Sequence, residues 1–165
     1  MADMAANTVT VNMAGMDVVN DSSRLKTVLG SCVGIILHDP VRRVSGLAHI
    51  MLPAQHCDDG IEGKYADTAI PALLARLISS GSGLSSLQAF LIGGALMFPM
   101  GNVKLASIGD QNVQAARRIL SESRIPIVFE DTGGKTGRTV VFDNATGKVS
   151  VQTLRATIAR EGNAP

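Results

Sequence analysis

The alternation of apolar and polar residues predicts a chain made mainly of short strands. Residues 8–13 alternate and predict an opening strand. Residues 32–38 and 43–49 are two apolar runs, separated by a four-residue segment that begins Asp39-Pro40. Asp at the first turn position and Pro at the second favour a type I turn. We therefore expect the two runs to form a β-hairpin.

A helical period occurs twice. The first apolar stripe recurs at three- and four-residue spacing and comprises Ile70, Leu73, Leu74, Leu77 and Ile78. The second comprises Val113, Ala116, Ile119 and Leu120. Asp67 and Asp110 precede these stripes and are the predicted N-caps, because a carboxylate can accept the free N–H groups at the start of a helix.

Further strands are predicted at residues 87–92, 103–108, 125–129, 138–142 and 148–154, with glycine-rich turns between several of them. Because hairpins outnumber β-α-β units, the pattern predicts an α+β fold of layered sheets. We expect residues 1–165 to form a single domain. Its core would span about residues 8–154, and residues 155–165 would be a loosely held tail.

Composition narrows the function classes. The 165 residues are 45% hydrophobic and 18% charged, as in a folded protein, and the formal net charge of +1 gives no electrostatic reason to expect nucleic-acid binding. The longest apolar runs are too short to span a bilayer, and the N-terminus has no secretory signal, so we expect no membrane insertion and a cytoplasmic location. Two cysteines do not make a disulfide framework, and we expect both thiols to be reduced.

The predicted hairpin places one thiol and one imidazole together. If the loop is residues 39–42, His38 pairs with Arg43 and Cys32 lies directly opposite His49, with Cβ atoms roughly 4.5–5.5 Å apart. That separation allows an imidazole to take a proton from a thiol. A loop of three or five residues would instead put His49 on the other face. The alternative is structural: a cysteine in an apolar strand is often a small buried side chain. His38, at the turn, is expected at the surface.

The chain resembles the CheD family of bacterial and archaeal chemotaxis proteins, which are chemoreceptor glutamine deamidases. The resemblance rests on segments that occur in family order from about residue 8 to residue 154. They are Leu29-Gly30-Ser31-Cys32-Val33, Asp39-Pro40, His49-Ile50-Met51-Leu52-Pro53, Lys64-Tyr65-Ala66-Asp67, Gly93-Gly94-Ala95-Leu96-Met97-Phe98, Ile108-Gly109-Asp110-Gln111-Asn112, Gly133-Gly134, Gly137-Arg138 and Thr146-Gly147-Lys148-Val149. The chain departs from the family where Asp110-Gln111 replaces a typical Glu-Arg pair.

The resemblance implies both a fold and a chemistry. The fold would be a layered α/β/β-type sandwich of mostly antiparallel strands with about two main helices, like the cytotoxic necrotizing factor deamidase toxins. Cys32 would be the nucleophile and His49 the base. Thr27, or a neighbour if the match slips by one position, would orient the imidazole. Ser31 and Gly30 are the candidates for binding substrate or its oxyanion. No metal or organic cofactor is implied.

The implied activity is conversion of receptor glutamines to glutamates with release of ammonia. The implied partners are the cytoplasmic signalling domains of chemoreceptors and a CheC-type phosphatase, and we expect the free protein to be monomeric. Two alternatives stay open. The chain could act chiefly as a binding module of the chemotaxis array, or it could hydrolyse a different amide.

Overall fold

The computed structural model describes residues 5–98, 101 and 106–154. The strands within these residues are β1 (Thr8–Thr10), β2 (Met16–Val19), β3 (Arg24–Leu29), β4 (Val33–Asp39), β5 (Val44–Ile50), β6 (Gln88–Gly93), β7 (Ile127–Thr132), β8 (Arg138–Asp143) and β9 (Lys148–Thr153). The α-helices are α1 (Ala66–Ser79) and α2 (Ile108–Glu122). Two short 3-10 helices, Glu62–Lys64 and Leu84–Ser86, precede α1 and β6.

The strands form two sheets. One has five strands in the order β2-β5-β4-β6-β7, and the other has four in the order β1-β3-β8-β9. The β1–β3 and β6–β7 pairs are parallel, and the other pairs are antiparallel. The α+β class with mostly antiparallel strands and two main helices is therefore confirmed.

The five-stranded sheet is the middle of three layers, so its β4 and β5 strands are buried along their whole length. Both helices pack on one face, where the core includes Ile35, Leu37, Ala48, Ile50, Ile70, Leu73, Ala116 and Leu120. The other face packs against the four-stranded sheet through a second core that includes Leu25, Leu29, Ile36, Leu47, Phe90, Val140 and Phe142. The expected α/β/β layering is confirmed. One face of the β4–β5 hairpin therefore packs against the four-stranded sheet.

The predicted hairpin exists, but its register differs from the prediction by two residues. The ladder continues to the pair Asp39–Val44, so the loop is residues 40–43 and His49 pairs with Gly34. Arg43 adopts a left-handed conformation with φ of 56°, and its N–H donates to the Asp39 carbonyl at 2.8 Å. Arg43 is therefore part of the loop and Asp39 stays in the strand. The prediction that Cys32 lies directly opposite His49 is wrong, and Cys32 lies just before β4.

The Asp39 side chain stabilises this loop. Its carboxylate accepts the N–H groups of Val41 and Arg42 at 3.0 and 3.1 Å, and the N–H of Gly83 at 3.2 Å. Burial by itself would raise the pKa of Asp39, but hydrogen bonds from the Arg42 and Gly83 N–H groups and from the Ser86 and Arg42 side chains hold it at about 2. The loop has four residues, and an even number is the condition for Cys32 and His49 to share a face.

Both predicted helix caps are wrong: Asp67 and Asp110 lie two and three residues after the observed N-caps. Tyr65 is the N-cap of α1 and makes no side-chain cap bond, while Asp67 accepts the N–H of Gln55 at 3.0 Å. Ser107 is the N-cap of α2, and Asp110 completes a capping box from the third helical position. A serine hydroxyl cannot be separated from a nearby aspartate as the cap by sequence alone, because both side chains suit that role.

The other strand predictions differ mainly in their ends. The opening strand stops at Thr10, and the sequence reading missed β2 and β3. Ile108 begins a helix and not a strand, while residues 103–105 of the predicted 103–108 strand and the predicted tail at 155–165 lie outside the described residues. His38 is buried, at 4% exposure, and is not a surface residue. No helix among residues 5–98 and 106–154 is long and apolar enough to cross a membrane.

Candidate active site

A buried histidine and threonine join the two sheets at the Cys32 end of the hairpin. His49 on β5 is 2% exposed, and its Nδ1 lies 2.8 Å from the Thr27 Oγ1 on β3. The Thr27 hydroxyl donates to the Val11 carbonyl at 2.7 Å. Strand β3 places Thr27 here because it alternates, with Leu25, Thr27 and Leu29 buried toward the other sheet.

This hydrogen-bond chain fixes the tautomer of His49. The single Thr27 hydroxyl proton is directed to Val11, so the threonine oxygen faces the ring as an acceptor and Nδ1 carries the hydrogen. Burial lowers the pKa of His49, which favours the neutral ring. The Nε2 atom therefore has a free lone pair. It is buried, and it has no hydrogen-bond partner among the described residues.

The backbone of His49 is held as firmly as its ring. Its N–H donates to the Gly15 carbonyl at 3.0 Å, and its carbonyl accepts the Ala14 N–H at 2.9 Å. Ala14 is in the left-handed region with φ of 62°, in the turn that leads into β2. The imidazole is thus positioned by Thr27 from the facing sheet and by the Ala14–Gly15 backbone at one edge of its strand.

Cys32 lies on the same face of the sheet as His49. It is half-buried and packs against the core between the sheets, together with Ile36 and Leu47. Since His49 pairs with Gly34, Cys32 is its diagonal neighbour, a position that side chains as long as histidine can reach across. Its thiol makes no hydrogen bond to His49 Nε2 in this structure. Burial raises the pKa of the thiol, so Cys32 is protonated at rest.

Gly34 keeps the space opposite His49 free. A Cβ at this position would lie 3.0 Å from Leu29 Cδ1 and 3.7 Å from Thr27 Cγ2. A larger side chain would therefore press on the threonine that holds the imidazole. The sequence alone indicated no role for Gly34, because that role depends on which residue pairs with His49, and the sequence does not determine this register.

The backbone around Cys32 has its carbonyl groups fixed. The Gly30 carbonyl accepts the Ala95 N–H at 2.9 Å, and the Cys32 carbonyl accepts the Gly94 N–H at 2.9 Å. The Ser31 carbonyl accepts from Asn112 Nδ2 at 3.2 Å. Within the described part of the chain, the N–H groups of Ser31 and Cys32 donate to no other residue. These two donors are free to bind an anion.

Two surface depressions flank this region. A groove of about 400 Å³ lies over the His49–Thr27 pair and is lined by Thr10, Val11, Asn12, Met13, Thr27, Val28 and His49. A pocket of about 100 Å³ adjoins Ser31 and is lined by Ser31, Ala95, Leu96, Met97, Phe98, Ser107 and Ile108. Met13, Val28 and Phe98 are exposed apolar residues, so both depressions have apolar rims.

The structure thus brings Thr27 to His49 and puts Cys32, Ser31 and Gly30 at the adjoining strand end. Among the described residues, the side chain hydrogen-bonded to the ring is that of Thr27 and not that of Lys26, the one-position alternative, whose backbone carbonyl accepts the Val11 N–H at 2.8 Å. The sequence reading assigned no role to Asn112. Asn112 immediately precedes the apolar stripe of α2 in the sequence, and its full burial is seen only in the structure.

Comparison with known proteins gives the class first. Residues 51–153 match the family model described as "CheD chemotactic sensory transduction", which puts the chain among proteins of chemotactic signalling. One solved structure, that of the Bacillus licheniformis hypothetical protein YfiH, superposes with a TM-score of 0.48 and 14% identity over 71% of this chain and 49% of that one.

Curated relatives narrow the class to one family. The chain is 43% identical over 151 residues to "Chemoreceptor glutamine deamidase CheD" of Halalkalibacterium halodurans, covering 88% of this chain and 93% of the relative. It is 45% identical over 151 residues to "Probable chemoreceptor glutamine deamidase CheD" of Moorella thermoacetica, covering 88% and 90%. The chain belongs to the CheD family.

Proposed function

We propose that this protein is a protein-glutamine deamidase of chemoreceptors, using Cys32 as nucleophile and His49 as base. The observation that carries the proposal is the buried, unpartnered Nε2 of a neutral His49 on the same face as the Cys32 thiol. Relatives named as chemoreceptor glutamine deamidases, at 43% and 45% identity, support the substrate.

In the acylation step, Nε2 of His49 takes the Cys32 thiol proton as sulfur attacks the carboxamide carbon of a receptor glutamine. The carbonyl π pair moves to oxygen and forms a tetrahedral oxyanion. When this collapses, the C–N bond breaks and the imidazolium gives its proton to the leaving nitrogen, so that ammonia departs. A thioester between Cys32 and the glutamyl side chain remains.

In the deacylation step, His49 accepts a proton from water while the water oxygen attacks the thioester carbon. The C–S bond breaks, the sulfur recovers its proton from the imidazolium, and glutamate is released. The overall change consumes one water and produces one ammonia. The raised pKa of Cys32 and the lowered pKa of His49 fit a pair that is neutral at rest and transfers its proton only during attack.

The free N–H groups of Ser31 and Cys32 are the proposed oxyanion donors. The carbonyls around them are fixed by Ala95, Gly94 and Asn112, which supports donors that are already oriented before substrate arrives. Removing one such donor typically costs about 10²–10³ in rate. Gly30 would contribute through its fixed carbonyl, and not as a donor.

The apolar rims of the two depressions support a protein substrate. The glutamine side chain would enter between the groove at Met13 and Val28 and the pocket at Phe98. We propose the cytoplasmic signalling domain of a chemoreceptor as the substrate. We also propose a CheC-type phosphatase as a partner and a monomeric free protein, which co-purification and sedimentation would test.

The function is tested by incubating the wild-type protein with a purified chemoreceptor signalling domain. Each converted glutamine should gain about 1 Da and release one ammonia. Fragment spectra must place the mass change on glutamine, since asparagine can deamidate without an enzyme. A receptor domain that is bound but not changed would contradict the proposal and favour the array-binding alternative. Conversion of a free amide but not of the receptor would favour a different substrate.

A further inference from the structure

Asn112 on α2 spans the open end of the β4–β5 hairpin. The last ladder pair is Val33–Ile50. Just beyond this pair, the Asn112 Nδ2 group donates to the Ser31 carbonyl on one side at 3.2 Å and to the Met51 carbonyl on the other at 3.0 Å. The side chain is fully buried. Its two N–H groups replace the ladder contacts that end at Val33, so one amide sets the separation of the strands where Cys32 begins.

The contact with Ser31 controls the direction of a second group. The Ser31 carbonyl and the Cys32 N–H belong to the same peptide unit, which is planar, and no cis peptide bond occurs among the described residues. In a trans peptide the C=O and N–H point in opposite directions. By holding the carbonyl, Asn112 therefore determines where the Cys32 N–H points.

Asn112 has this role alone among side chains. The neighbouring carbonyls of Gly30 and Cys32 are held by backbone N–H groups of Ala95 and Gly94. Apart from the Cys32 thiol itself, no other side chain within residues 5–98 and 106–154 is hydrogen-bonded to the Gly30–Cys32 backbone. The first turn of α2 packs closely against the backbone at Gly94. A Cβ on Gly109 would lie only 2.5 Å from the Gly94 carbonyl oxygen, so only glycine allows this approach.

Asn112 also leaves one polar atom without a partner. Its Oδ1 is buried and has no donor among the described residues. An unsatisfied buried acceptor costs stability, so an amide at this position is not the best choice for the fold alone. The amide contributes through its two Nδ2 hydrogens, which the Ser31 and Met51 carbonyls accept.

We propose that Asn112 is a positioning residue for the reaction, which aims the Cys32 N–H at the oxyanion. This inference rests on the proposed deamidase function. Loss of the Nδ2 donors would free the Ser31–Cys32 peptide to rotate, and the transition state would lose an oriented donor while substrate binding stayed the same. We expect Asn112→Leu to lower kcat by about 10–100-fold with little change in KM, less than the full loss of an oxyanion donor.

The decisive comparison uses two reactions of the same thiol. Alkylation of Cys32 by iodoacetamide occurs at a saturated carbon and develops no oxyanion, whereas deamidation does. In a Cys57→Ala background, Asn112→Leu should lower the deamidation kcat by a much larger factor than the Cys32 alkylation rate, because an oxyanion forms only in the first reaction, while the Cys32 N–H also supports its own thiolate in both. Asn112→Ala, which also removes the amide N–H groups and adds no charge, should behave in the same way if the leucine variant folds poorly.

Ile119→Ala is the matched control, because Ile119 lies seven residues further along the same helix, in the core that faces the sheet. It should lower the melting temperature and leave kcat unchanged. Equal losses of alkylation and deamidation in both Asn112 variants would overturn the proposal, as would an unchanged kcat. A wild-type protein that alkylates normally but converts no receptor would instead refute the deamidase function.

Discussion

His49 donates its Nδ1 hydrogen to the Thr27 hydroxyl at 2.8 Å, and Thr27 passes its own hydrogen to the Val11 carbonyl. The chain of donors runs from the five-stranded sheet to the four-stranded sheet in one direction. It ends on a carbonyl, which cannot donate back. The other ring nitrogen therefore presents a lone pair, which is what the proposed role of His49 as a base requires.

Thr27→Val should impair this arrangement without changing the size of the side chain. The imidazole would lose the acceptor that fixes its tautomer and its ring orientation. We expect kcat to fall by about 10–100-fold, the rate equivalent of losing one buried hydrogen bond of about 1–3 kcal/mol. Steady-state deamidation kinetics measure the effect. Thr139→Val is the control. Thr139 lies on β8 opposite Val28, the residue after Thr27, and its replacement should keep the parent kcat.

His49→Gln should remove the base while keeping a polar side chain at the site. General acid–base catalysis contributes about 10²–10⁴ in rate, and we expect a loss of kcat in that range with receptor binding retained. The measurement is single-turnover conversion of the receptor domain at saturating enzyme. A glutamine variant that converts the substrate at the parent rate would show that the proton leaves Cys32 by another route.

Gly34→Ala should reduce the activity of the sample by more than the loss of folded protein explains. Its new Cβ would face Leu29 and Thr27, on the side of the sheet that holds the site. Small displacements of catalytic groups are costly, and we expect a loss of about tenfold or more in kcat per folded molecule. Gly46→Ala is the matched control, since its Cβ would meet Leu73 and Leu77 on the helix side. It should destabilise the fold and leave kcat per folded molecule unchanged.

The stability of the fold should decrease on acidification below about pH 6.5. Burial lowers the pKa of both His38 and His49 below the ordinary 6.5, so the unfolded chain binds protons that the folded chain does not. The free energy of unfolding should be level above pH 6.5 and fall by at most about 1.4 kcal/mol per pH unit for each histidine below it. Asp39, with a pKa of about 2, stays charged between pH 5 and 8 in this test.

Urea unfolding at intervals between pH 8 and pH 5 measures this slope. His38→Gln should make the slope shallower by the contribution of one histidine, because His38 bonds Ser45 at 2.8 Å at the far end of the hairpin and takes no part in the candidate site. Stability that rises toward pH 5 would contradict the assignment of both buried rings as neutral.

The sequence was sufficient to predict features that depend on an even loop length or on the spacing of apolar residues. An even hairpin loop requires Cys32 and His49 to share a face, and this holds although the register is two residues away from the expected one. The register itself depends on the left-handed Arg43, and a non-glycine residue gives little sign of that conformation.

Thr27 and Asn112 show why the rest was harder to predict. In β3 the buried positions are Leu25, Thr27 and Leu29, an alternation that a polar threonine conceals. Asn112 is buried beside the apolar stripe of α2, and its partners Ser31 and Met51 are distant in sequence. Contacts of this kind depend on how the layers pack, and a single sequence carries no record of them.

The most direct test of the account compares two cysteine variants on the receptor signalling domain. Cys57 is exposed in the loop before α1, so Cys57→Ala should convert receptor glutamines at the wild-type rate, while Cys32→Ala should convert none above the uncatalysed background. Circular dichroism should show both variants folded. Glutamine conversion by Cys32→Ala at a rate near that of the wild type would contradict the central claim that Cys32 is the nucleophile.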